Sequence, residues 1–66
     1  MAKNDVIVWN GGSGLMLVRP VTDRAEQWIK ENVQEDAQWY GPALVVEWRY
    51  LEALVDGMRA DGLEVV

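Results

Sequence analysis

The chain has 66 residues, half of them apolar, a net charge of −5, and neither cysteine nor histidine. That length holds one domain, residues 1–66, and a chain so short buries only about 60% of the surface its unfolded form exposes. The missing residue types exclude disulfides, thiolate zinc sites, cysteine nucleophiles and imidazole chemistry, and six basic residues without a cluster supply no patch for direct nucleic-acid binding.

The opening Met1-Ala2-Lys3-Asn4-Asp5 does not read as a signal peptide, and the apolar run Val6 to Trp9 is too short for one or for a membrane span. The expectation is a cytoplasmic protein. Val6-Ile7-Val8-Trp9 is β-branched and aromatic and predicts a strand. Asn10-Gly11-Gly12-Ser13-Gly14 breaks it, and Leu15-Met16-Leu17-Val18 follows before Pro20. Two apolar runs around a glycine-rich break predict a β-hairpin.

Val21-Thr22-Asp23 opens a helix over about Asp23 to Val33. Thr22 can cap it, or Asp23 can cap with Glu26 as a capping box. Ala25, Trp28, Ile29 and Val33 share one helical face, while Glu26 and Lys30 pair outside it. Residues 34 to 42 read as a loop closed by Gly41-Pro42. Ala43-Leu44-Val45-Val46 is a strand, and Leu51, Leu54, Val55 and Met58 mark a helix from about Trp48 to Asp61. Gly62 stands where a left-handed cap belongs, with Leu63 as its apolar contact. Leu63-Glu64-Val65-Val66 forms a short last strand. The fold class is α+β, in the order β-β-α-β-α-β, with a small mixed sheet and two amphipathic helices.

The hairpin runs are apolar at every position rather than at alternate ones. A regular hairpin directs Val6, Val8, Leu15 and Leu17 to one face and Ile7, Trp9, Met16 and Val18 to the other. Helical crossovers are right-handed, and two that step the same way place both helices on one face. One apolar set is then left uncovered, for a homodimer or a partner to cover. Helices on opposite faces, or a hairpin folded back, remove that need.

Four tryptophans are many for this length, and they are candidate staples of a small core. Trp28 belongs to the core, and Trp9 to the core or to a dimer interface. Gly12-Ser13-Gly14 lacks the Lys-Ser/Thr and the following helix of a phosphate loop, so it is a turn. Ser13, the single serine, has no histidine to activate it. No cofactor, metal site or catalytic residue is expected, and the chain is not read as an enzyme.

What remains is surface. Glu35 and Asp36 precede Trp39 and Tyr40 in the loop, an acidic rim beside aromatic anchors; the alternative is that the aromatic pair closes over the core. Glu52 and Asp56 stand four apart on the second helix, a solvated face or a surface for basic side chains. These six residues are the candidate partner-binding set. An acidic chain favours a basic protein partner, including one that itself binds nucleic acid.

Trp39 through Glu47, Arg49-Tyr50-Leu51, Gly57-Met58, Asp61-Gly62-Leu63, Arg19-Pro20-Val21-Thr22 and Trp28 together resemble small hypothetical proteins of bacterial genomes, phages and other mobile elements. The resemblance implies an inhibitor of host defence, such as an anti-CRISPR protein, and assigns no residue a role. The functional expectation is a non-enzymatic protein-binding module, most concretely a small acidic inhibitor docking on a basic, nucleic-acid-binding partner. The alternative is a structural or regulatory homodimer formed through an apolar sheet face.

Overall fold

In the computed structural model, which describes residues 4–33 and 36–66, the chain runs β1 (Val6–Gly12), β2 (Leu15–Pro20), α1 (Asp23–Asn32), β3 (Trp39–Tyr40), β4 (Ala43–Glu47) and α2 (Trp48–Ala60). The α+β reading stands, with the hairpin and both helices where the apolar periodicities put them. Two details differ. Trp39 and Tyr40 form a two-residue strand rather than loop, and the last segment contributes an isolated bridge, Val65 beside Val6.

The hairpin decides which residues face the helices. Ser13 and Gly14 make the turn with φ of 54° and 77°, a left-handed pair that suits a two-residue connection. Such a turn pairs Gly12 with Leu15, as observed, and continued regularly it sorts the side chains as the sequence suggests. A bulge between Asn10 and Gly12 inserts Gly11 and shifts the register by one. The Asn10 Oδ1 accepts from the Gly12 N–H at 2.8 Å and steadies it. Beyond the bulge Val8 pairs with Val18 and Trp9 with Leu17. Since side chains alternate with period two, one extra residue exchanges the faces of β1 against β2. Val6, Val8, Met16 and Val18 therefore share one face; Ile7, Trp9, Leu15 and Leu17 share the other.

The sheet order is β1-β2-β4-β3, and all named neighbours are antiparallel. The parallel component is the Val6–Val65 bridge, held by Val6 N–H to Glu64 O and Val66 N–H to Val6 O. Helix α1 crosses from β2 over β4 to β3; α2 crosses back from β4 to the segment beside β1. These crossovers start from antiparallel strands and step in opposite directions. Two right-handed crossovers of that kind lie on the same face. Ala25 and Ile29 of α1 and Met58 of α2 accordingly meet Val6, Val18 and Leu44 in one core, and Leu63 joins them.

Local chemistry sets the helix ends. Thr22 caps α1, its Oγ1 accepting from the Ala25 N–H at 3.3 Å. The α2 terminus closes through Gly62, with φ of 88°, whose N–H reaches Arg59 O while the Leu63 N–H reaches Met58 O. Gly57 lets α1 come close: a Cβ there would stand 3.3 Å from the Trp28 ring. The Trp28 Nε1 donates to Asp61 Oδ2 at 2.6 Å, so this tryptophan ties the two helices.

Among the described residues Asp5 is the buried charge, 1% exposed. Its carboxylate accepts from Thr22 Oγ1 at 2.7 Å, from Arg24 Nε at 2.9 Å and Nη2 at 2.6 Å, and from the Glu64 N–H at 2.9 Å. Arg24 also reaches Gly62 O. One side chain thus joins the start of β1, the cap of α1 and the end of the chain.

Candidate functional site

With both helices on one face, the other face of the sheet is open. From β1 it presents Ile7 and Trp9, from β2 Leu15, Leu17 and Arg19, and from β4 Val45 and Glu47, as the register requires. Ile7, Trp9 and Leu15 are all more than a third exposed, Trp9 at 40%. Tyr40, opposite Ala43, leans in from β3 at 74% exposure. Gly11, Leu15, Leu17, Val45 and Tyr40 line a shallow hollow of about 290 Å³. Gly11 carries no side chain here, and a Cβ would press on Leu17 at 3.2 Å.

The helix side is different. The acids Asp23, Glu26, Glu31, Glu52 and Asp56 stand on α1 and α2, all exposed. Between the helices a broad groove of about 1160 Å³ is lined by Trp28, Val33, Asp36, Val46, Leu54 and Gly57, among others. Among the described residues no three Asp or Glu side chains gather into a metal-binding cluster, and no helix is long and apolar enough to cross a membrane. Ser13 sits at the hairpin tip. There the Trp48 N–H, at the start of α2, donates to Gly14 O at 2.9 Å.

No family model, curated protein or solved structure matches the chain. The surface itself must therefore carry the functional reading.

The structure distributes the candidate residues rather than gathering them. Asp36 lines the groove on the helix side. Trp39 pairs with Leu44 and lies on that side, whereas Tyr40 pairs with Ala43 and lines the open-face hollow. Adjacent residues on a strand point to opposite faces, so the two aromatics act neither as one anchor nor as one lid. Glu52 and Asp56 are exposed on α2, with no ion-pair partner among the described residues. Glu35 lies outside the described residues.

The tryptophans are not the staples of the core. Only Trp28 packs against it; Trp9, Trp39 and Trp48 are exposed, Trp48 at 67%. Tyr50 is exposed too, with the Arg49 guanidinium 5.1 Å from its ring centroid. Sequence reasoning missed Leu15, Leu17, Val45 and Arg19 as a shared surface. The signal was present, since strands apolar at every position have two apolar faces. The bulge that sorts them was not visible.

Proposed function

We propose that this chain is a non-enzymatic protein-binding module that recognises its partner through the open face of its sheet. One observation carries the reading: Ile7, Trp9, Leu15, Leu17, Val45 and Tyr40 form a continuous apolar surface opposite the helices. Contiguous apolar patches of several hundred Å² on small proteins are characteristic of interaction sites, and aromatic residues in them are frequent binding hot spots.

A second reading rests on a different observation. Glu52 and Asp56 stand exposed and without ion-pair partners among the described residues, on a helical layer rich in acids. In that reading the helix side docks on a basic, nucleic-acid-binding protein and blocks its site, as an inhibitor of host defence would. The two surfaces are separable by binding to proteins from a bacterial extract at rising salt. Sheet-face recognition survives high salt and is lost in Leu17→Glu. Helix-side recognition weakens steeply with salt, because exposed charges are screened, and is lost in Glu52→Lys/Asp56→Lys. Binding indifferent to all three substitutions counts against both surfaces.

A further inference from the structure

Resting on the sheet-face reading, we propose that the occupant of the open face is a second copy of this chain, packed face to face about a two-fold axis that runs across the strands. The charges on the face point to this partner. Beside their apolar residues, β2 and β4 carry on this face one cation, Arg19 near the end of β2, and one anion, Glu47 at the opposite end of β4. Leu15 pairs with Glu47, and Arg19 lies four residues further along β2, about 13 Å away at the rise of a strand. The two cannot reach each other within one chain. Glu47 instead meets Arg49 at 3.2 Å in an exposed pair, and Arg19 has no ion-pair partner among the described residues.

A two-fold axis across the strands, level with the Leu17–Val45 pair, reverses the strand direction of the second copy. It sets Arg19 of each copy over Leu15 of the other, one strand spacing, about 4.8 Å, from the Glu47 that pairs with Leu15, so two cross-copy pairs form by one symmetry operation. Paired sheets stand about 10 Å apart, a gap that an arginine and a glutamate reaching toward each other span. The same operation lays Leu17 and Trp9 against their own counterparts and brings Ile7 toward the side-chain-free strip at Gly11. A surface that complements itself is what an isologous interface requires.

Size and edges agree. Three strands about 4.8 Å apart and about five residues long make a face of roughly 14 by 17 Å, with the two residues of β3 beside it. Two such faces bury somewhat less than about 1,000 Å² together, the low end of the range for specific interfaces. Edge-to-edge pairing has less to work with: Glu64 and Val66 already bond to β1 at Val6 and Val8, and β3 has two residues. The helical acids of both copies face outward, away from the contact.

The test is sedimentation velocity on the full chain over a wide concentration range, with circular dichroism to confirm folding of each variant. The wild type is expected to sediment as a dimer that persists at high salt. Arg19→Glu sets like charges together twice and is expected to raise the dimer Kd on the order of tenfold or more. Glu47→Arg does the same, and the double exchange Arg19→Glu/Glu47→Arg returns the Kd toward the wild-type value. Leu17→Glu gives a folded monomer. Should Glu47→Arg disturb the start of α2, Arg19→Glu and Leu17→Glu decide alone. A wild type that is monomeric throughout, or a dimer indifferent to Arg19→Glu and Leu17→Glu, overturns the proposal. A monomer whose binding to another protein is abolished by Leu17→Glu overturns the self-pairing but keeps the sheet-face module; a monomer that binds nothing through that face ends both.

Discussion

At the scale of single residues, Asp5 shows how much one buried polar group can organise. It is fully partnered, and its carboxyl is held well below the ordinary carboxylate value of 3.8. The hydrogen bonds from Arg24 contribute most, then those from the Glu64 N–H and Thr22. A carboxyl depressed on folding contributes stability that is complete above its unfolded value and is lost as the pH falls below it. The urea midpoint is therefore expected to fall between about pH 5 and pH 2. Asp5→Asn should begin lower at neutral pH and change less over that interval; a variant with the wild-type pH profile would show that Asp5 is not the titrating group. Nothing around Asn4-Asp5 in the sequence marks this role, because the partners come from residues 22, 24 and 64. Gly57 makes the complementary case. A glycine inside a helix is costly, and the reason for this one lies in packing: the Trp28 ring lies 3.3 Å from where a Cβ would stand. Gly57→Val is expected to cost about 1–3 kcal/mol by overpacking and to break the Trp28–Asp61 hydrogen bond, seen as a shift in tryptophan emission with a lowered denaturation midpoint.

At the scale of elements, the helix boundaries follow local chemistry closely, since capping and periodicity act within a few residues. Thr22 was one of two possible caps, and the structure selects it because its hydroxyl also donates to Asp5 while its oxygen accepts from Ala25. Thr22→Ala should cost about 1 kcal/mol for the cap, with a further loss from the Asp5 bond, measurable by urea unfolding. Gly62, at φ of 88°, closes α2 so that Leu63 turns into the core. Gly62→Ala forces a Cβ into the left-handed region and is expected to cost about 1–2 kcal/mol. β3 was not legible for the opposite reason. Two residues in a polar stretch have no periodicity, and Trp39 and Tyr40 become a strand only because β4 offers an edge.

At the scale of the whole molecule, a 66-residue domain has a total stability of about 3–10 kcal/mol. Ile29, 1% exposed, lies at the centre of its single core. Ile29→Ala is expected to cost about 2–5 kcal/mol and so to leave much of the population unfolded at ambient temperature, by circular dichroism. Open-face substitutions such as Leu17→Glu should leave the helical signal intact, because that face contributes little to the core. This contrast between the two faces divides the molecule into a side that holds the core and a side left open.

The sequence by itself determined the class of the fold, the hairpin, both helices with their caps, and the surplus of apolar strand surface. These depend on period, turn chemistry and composition, which are local properties. Which apolar residues were surplus was decided by tertiary structure alone. A one-residue bulge at Gly11 exchanges the facing of β1 against β2, and the crossovers of α1 and α2 choose which face is covered. A strand's side chains acquire an inside and an outside only when pairing register and helix placement are both set, and neither is encoded in any single stretch of the chain.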